Sequence, residues 1–246
     1  MTRMVDSGLW MLDKIFGTRN SELRTMIIAI DGPAGAGKST ISRLIAARHG
    51  WTYLDTGAMY RAVTLMAVEQ GIAPADEDEL GALARNVEIG FKPGPGGSPQ
   101  VFAGCRDVTH EIRSQDVSAL VSEVSAQGAV REALVEKQRA IAARGNVVMD
   151  GRDIGTVVCP GADVKIFLTA SNPERSRRRR LELQQKGVEV SQAQMEREIA
   201  ARDDYDSSRE LAPLKAADDA IIIDTTNMTI EQVVDKISEI IEKQLK

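Results

Sequence analysis

Apolar positions along this chain fall into short runs, set apart by longer stretches in which apolar residues recur at helical spacing. Met26–Asp31 is the first run; a glycine-rich turn and a helical pattern with Ile41, Leu44 and Ile45 on one face follow it. Tyr53–Leu54 is a brief second strand leading into a helix in which Tyr60, Val63, Thr64 and Ala67 keep helical spacing. Asn146–Met149, Val164–Leu168 and Ala220–Ile223 are three further short runs, each flanked by Gly, Asp or Pro. Five short buried strands with helical crossovers predict an α/β fold on a parallel sheet covered on both faces.

Two segments break the alternation. Glu88–Phe91 and Gln100–Phe102 flank the Pro/Gly-rich stretch Lys92–Pro99, which predicts an antiparallel hairpin outside the main sheet. A long helical stretch over about Ser114–Ala143, split near Gly128, comes next. Pro173–Arg209 is strongly charged, helical in pattern and interrupted at Gly187.

Composition narrows the class without deciding it. The 246 residues suffice for one well-buried core with small insertions. A net charge of −5 gives no overall nucleic-acid footprint. No apolar run approaches the roughly 20 residues that span a bilayer. Cys105 and Cys159 stand far apart without metal-ligand spacing, which suits a reduced, cytoplasmic protein. Residues 1–25 read as an extension ahead of the main body, with Met26 as an alternative start. Its apolar patch (Trp10, Met11, Leu12, Ile15, Phe16) has two readings, a simple extension or a helix for a membrane surface or partner.

Candidate chemistry begins at Gly32-Pro33-Ala34-Gly35-Ala36-Gly37-Lys38-Ser39, which matches G-x-x-x-x-G-K-[ST] between a predicted strand and a predicted helix and, with Thr40, is the candidate ATP-binding segment. Glycines let consecutive main-chain N–H groups turn toward one anion, and the helix start adds partial positive charge. Lys38 can reach the β- and γ-phosphates of ATP, and the Ser39 hydroxyl can join a Mg²⁺ shell. Asp150 ends the third core strand, where it either holds a water of the same ion or caps the following loop. The acceptor must be read elsewhere. An N-K-x-D guanine reader is missing, and three polar clusters stand out: Asp55–Arg61, Asp150–Thr156 and Arg202–Arg209.

These clusters, with Gly32–Ser39, Glu111–Gln115 and Ala212–Leu214, occur in the order and spacing of bacterial cytidylate kinases, which the chain resembles from about Met26 onward. The resemblance implies a P-loop NTPase three-layer sandwich on a five-stranded parallel sheet. It also implies an NMP-binding insertion at about 85–145 and a helical lid at about 173–190. The implied reaction is ATP-dependent phosphorylation of CMP, with dCMP as a second acceptor, by a monomer that binds neither nucleic acid nor membrane. Arg61, Arg152 and Arg209 would hold the CMP phosphate, which suits bidentate guanidinium groups. Asp153, helped by Ser122 and Arg131, would accept from the cytosine amino group and repel the uracil carbonyl. Tyr60 and Thr56 would line the base and ribose site, and Arg202 and Asp206 would contact the sugar.

Bland readings stand beside these. The arginines could serve surface ion pairs, and Tyr60, on an apolar helical face, could be core. The run Arg177–Arg180, with Arg175, either closes over phosphates as a lid or forms a nucleic-acid patch, although interleaved aromatics are missing. One or two of Arg175, Arg178 and Arg179 can face a site at once; Arg179 is taken as the acting one, beside Lys38 and Arg152. Asp224–Asn227, after the last strand, lies where related kinases wrap adenine. The competing functions are a kinase for UMP, AMP or shikimate, and an RNA-binding ATPase.

Overall fold

The computed structural model describes residues 25–94, 99–185 and 187–245. The apolar patch at Trp10–Phe16 lies outside them. The chain divides into two compact units, Met26–Leu54 with Val147–Lys246, and Asp55–Asn146.

The first unit holds five strands: β1 (Ile27–Asp31), β2 (Thr52–Asp55), β6 (Val147–Asp150), β7 (Val164–Thr169) and β8 (Ile221–Asp224). They form one sheet in the order β2-β6-β1-β7-β8, with β1 pairing in parallel to β6 and β7, and β7 to β8. Central β1 is apolar along its length, and Ile28, Ala29 and Ile30 are fully buried. Edge strand β8 leaves Ile221 and Ile222 exposed.

Helix α1 (Lys38–His49) turns Ile41 and Ile45 onto this sheet, beside Val233, Ile237 and Ile241 of α8 (Ile230–Gln244). Burial of each such side chain contributes about 1.5–3 kcal/mol before entropy is counted. A capping box at Thr229 and Gln232 starts α8, and Gly50 ends α1 with a left-handed turn whose N–H reaches the Ala46 and Ala47 carbonyls. Helices α6 (Asn172–Gln185) and α7 (Gln192–Ser208) complete the unit.

Register places the site. Ile30 pairs with Asp150 and Asp31 with Phe167, so β1 and β6 end within one residue of each other and β7 runs two residues further. The loops after all three leave the same edge, where ligands bind in open α/β sheets.

In the second unit, Asp55 caps α2 (Thr56–Gln70) by accepting the Ala58 N–H, and α3 (Glu77–Asn86) starts in the same way at Asp76. The expected hairpin is present as β3 (Ile89–Pro93) and β4 (Pro99–Ala103). A third strand, β5 (Arg106–Asp107), had no counterpart in the sequence reading; two exposed polar residues carry no alternating pattern. After a 3₁₀ turn at Glu111–Arg113, the long helical stretch divides into α4 (Gln115–Val124) and α5 (Gly128–Ala142). The break falls at Ser125–Gln127, just before Gly128.

Candidate active site

The turn after β1 is built for close approach. Gly32 has φ 145°, and a Cβ there would stand 2.0 Å from the Leu168 carbonyl oxygen, so a side chain would push the loop off β7. Gly37, at φ 90°, caps α1 and has no side chain with which to satisfy its first N–H groups. Those amides and the helix dipole make a cradle for phosphate.

Lys38 opens α1 and is buried, with Nζ donating to the Pro33 carbonyl at 2.7 Å. Burial and the nearby Arg152 charge push its ammonium pKa well below the ordinary range, while Asp150 and Asp31 oppose that fall. A polyanion bound in the cradle would favour the charged form. Ser39 Oγ donates to Asp150 Oδ2 at 2.7 Å, and the Tyr53 hydroxyl donates to Asp150 Oδ1 at 2.9 Å. The two groups singled out for a metal are therefore in contact. A hydroxyl and a carboxylate are hard oxygen donors that fit Mg²⁺. Pro33 and Ala36 are buried, Ala34, Gly35 and Gly37 half-buried, and Thr40 exposed on the first turn of α1.

Three of the arginines expected at the acceptor, Arg152, Arg202 and Arg209, meet on one buried carboxylate, while Arg61 does not join them. Asp206, on α7, is 1% exposed. Its Oδ2 accepts from Arg152 Nε at 3.0 Å and faces Arg202 Nε at 3.9 Å; Oδ1 accepts from Arg209. Arg202, Asp206 and Arg209 lie three or four residues apart, on one face of the α7 C-terminus. Arg152 arrives from the loop after β6. Three guanidinium groups against one carboxylate leave an excess of two positive charges, which matches a phosphate dianion. With both oxygens engaged by guanidinium groups, Asp206 organises this cluster as well as standing at the position expected to contact sugar.

Asp153 is buried and opens a π-helical turn, Ile154–Val158, that its own side chain does not cap. Such turns recur at functional sites. Its main-chain carbonyl accepts from Val157 and Val158 at 2.8 and 3.1 Å.

In the other unit, Arg61 donates from Nη1 to the Ile112 carbonyl and to Ser118 Oγ, both at 3.0 Å. Ser118 was missed in the sequence because it stands on a helix without a local motif. The Arg131 guanidinium lies 5.6 Å from the Tyr60 ring centre and donates to the Ser125 carbonyl at 3.1 Å. Tyr60 is thus both a buried residue of α2 and a partner of a candidate substrate residue. Ser122 is half-buried on α4, with its carbonyl accepting from Ser125 Oγ. Thr56 is buried in the first turn of α2.

Helical rotation sorts the arginine run. Arg175 is buried, donates to the Ala170 and Ala34 carbonyls and pairs with Asp203, which also accepts the Ala34 N–H at 3.2 Å. It props the phosphate loop from behind. Arg178 donates to the Thr225 hydroxyl and carbonyl at 3.0 and 2.7 Å, and its Nη1 lies 3.9 Å from where a Gly37 Cβ would stand. Arg179, singled out in the sequence, turns along its own helix to Glu182 at 2.6 Å, and Arg177 pairs with Glu174. Consecutive helical positions differ by about 100°, which is why Arg178 rather than its neighbour stands beside the loop.

Comparison with known proteins shows the family. The family model described as cytidylate kinase matches residues 28–243. The chain is 53% identical to a cytidylate kinase from Carboxydothermus hydrogenoformans over 219 residues, 89% of this chain and 98% of that protein. It is 52% identical to a cytidylate kinase from Limosilactobacillus reuteri, covering 88% and 95% of the two chains. For a cytidylate kinase from Geobacter sulfurreducens the identity is 50%, with 90% and 94% covered. Among solved structures, a shikimate kinase from Bacteroides thetaiotaomicron aligns at 13% identity and a TM-score of 0.46, covering 89% of this chain and 99% of that one. No helix among the described residues is long and apolar enough to cross a membrane. A family model spanning residues 28–243, and identities of 50–53% to cytidylate kinases over nearly their whole length, show that the chain belongs to the cytidylate kinase family.

Proposed function

We propose that this protein transfers the γ-phosphoryl group of ATP to a phosphate oxygen of CMP, giving CDP and ADP, and that dCMP is a second acceptor. The observation that carries the reading is the juxtaposition, within one compact unit, of the Lys38 cradle with three arginines gathered on Asp206. One element suits the donor triphosphate and the other an acceptor monophosphate.

A monophosphate is already anionic near neutral pH, so the reaction asks for no strong general base. Its difficulty is the repulsion between two polyanions, which positioning and fixed positive charge overcome. Lys38 and the main-chain amides of Gly32–Thr40 hold the donor, and Arg152 and Arg209 the acceptor phosphate. Ser39 and Asp150 are the residues proposed to hold Mg²⁺. When bound, the ion neutralises charge on the β- and γ-phosphates. Asp153 discriminates cytosine by accepting from its amino group. Thr56, Tyr60, Arg61, Ser122, Arg131 and Arg202 are assigned to the acceptor from the family resemblance.

Coupled ADP production with Mg-ATP against CMP, dCMP, UMP and AMP tests this, in wild type and Asp153→Ala. Strong turnover with CMP that Asp153→Ala abolishes or redirects to UMP supports both activity and base reader. Equal turnover of all four acceptors removes the cytosine assignment, and rapid ATP hydrolysis without any acceptor counts against the mechanism.

A further inference from the structure

Asp31 is the last residue of β1, immediately before Gly32, and it is buried. Its carboxylate accepts two neighbouring main-chain N–H groups, Ile154 on Oδ1 and Gly155 on Oδ2, each at 2.8 Å. These are the first two amides after Asp153, at the start of the π-helical turn that Asp153 leaves uncapped. The cap is thus supplied from a different strand, which leaves the Asp153 carboxylate without that duty. Surroundings are tight as well: a Cβ at Gly155 would lie 3.2 Å from the Lys165 side chain and 3.4 Å from Asp31 Oδ2.

We infer that Asp31 is a positioning residue for acceptor specificity: by holding the Ile154 and Gly155 amides it fixes the direction of the Asp153 carboxylate and so sharpens the choice of a cytosine over a uracil monophosphate. The inference rests on the proposed role of Asp153. Hydrogen bonds weaken steeply as they leave linearity, so a carboxylate that must tell an amino group from a carbonyl depends on how firmly its own main chain is held. Two charge-assisted bonds to adjacent amides fix both the position and the tilt of that peptide, which one bond does not. Keeping a carboxylate out of water is costly, and burial raises the Asp31 pKa to about 6 even against the two amides.

Asp31→Asn tests this, because the amide preserves shape but keeps one acceptor oxygen for two N–H groups. Steady-state kinetics with CMP and with UMP are compared for wild type, Asp31→Asn, Asp153→Asn and the double variant. The CMP-over-UMP ratio of kcat/KM should fall about tenfold in Asp31→Asn. Loss of the Asp31 charge beside Lys38 acts on both acceptors alike and cancels in this ratio, and the double variant should be no less selective than Asp153→Asn alone. Equal losses with both acceptors, or selectivity losses that multiply in the double variant, would overturn the inference. If Asp153→Asn itself keeps the preference for CMP, the base-reader assignment fails and the role of Asp31 falls with it. Should Asp31→Asn not fold, amide NMR of the wild-type protein reads the same link. CMP should shift the Ile154 and Gly155 amide signals more than UMP does, and equal responses would overturn the inference.

Discussion

The Gly32–Ser39 loop and the arginine cluster around Asp206 both gather positive charge, but they make it from different material. The loop uses consecutive main-chain amides, with Lys38 as the one long side chain folded back on the Pro33 carbonyl. Its cost is steric, and glycine meets it at Gly32 and Gly37. The cluster uses side chains from two separate segments, Arg152 after β6 and Arg202 and Arg209 around the end of α7, and spends a buried carboxylate on holding them together. A main-chain cradle is specified by its own eight residues. A side-chain cluster is specified by whatever brings its members to one place, so its parts fail in different ways.

Removing the single cation of the loop should be the largest effect on rate. Lys38→Ala is expected to lower kcat about a thousandfold, roughly 4 kcal/mol of transition-state stabilisation. Thermal unfolding should show no loss of stability, because the change deletes a buried ammonium. A fall in stability of the same size would show that Lys38 is structural.

The cluster should behave the other way. Asp206→Ala leaves guanidinium groups facing one another, so stability should fall by about 3 kcal/mol in denaturant titration, with KM for CMP rising alongside. Retention of both would mean that the arginines do not depend on Asp206.

Between the two lies Asp31, whose effect has a pH sign. Its folded pKa of about 6 stands above the ordinary 3.8, so the native state binds the extra proton between those values. This group's contribution to stability is therefore fully present at low pH and is lost as pH rises toward 6, by about 2–3 kcal/mol. Wild type measured against Asp31→Asn should show that difference between pH 4 and 7. A pH-independent difference would sink the claim.

The smallest contrast separates neighbours on α6. Arg178→Ala should raise KM for ATP several-fold, because Arg178 lies beside Gly37 and Thr225. Arg179→Ala should change it less than about twofold, since the residue pairs with Glu182 on an exposed face. Reversal of that order would favour Arg179 as the acting residue.

Legibility in the sequence followed the same division. All five core strands could be read because short apolar runs bounded by Gly, Asp or Pro carry their own signal, and the split near Gly128 could be read because glycine interrupts a helical pattern. Strand β5 could not, being two exposed polar residues held in place only by pairing with β4. Ser118 was missed because its contact with Arg61 crosses between helices. The arginine run was legible as a cluster, but its facing depended on the rotation of α6 against the loop.

By itself, the sequence determined the parallel α/β core, the glycine-rich turn that carries Lys38 and Ser39, and a set of arginines and acids that the family resemblance assigns to an acceptor. Each of these rests on local pattern: hydrophobic period, glycine at positive φ, or residue type at fixed spacing. Only the tertiary structure decided that Asp206 gathers three arginines, that Arg175 props the loop while Arg178 stands beside it, and that Asp31 caps the turn after Asp153. Those are contacts between segments far apart in the chain. Hydrogen bonds and ion pairs at 3 Å depend on how strands register and helices rotate when the core packs, and no local pattern records that.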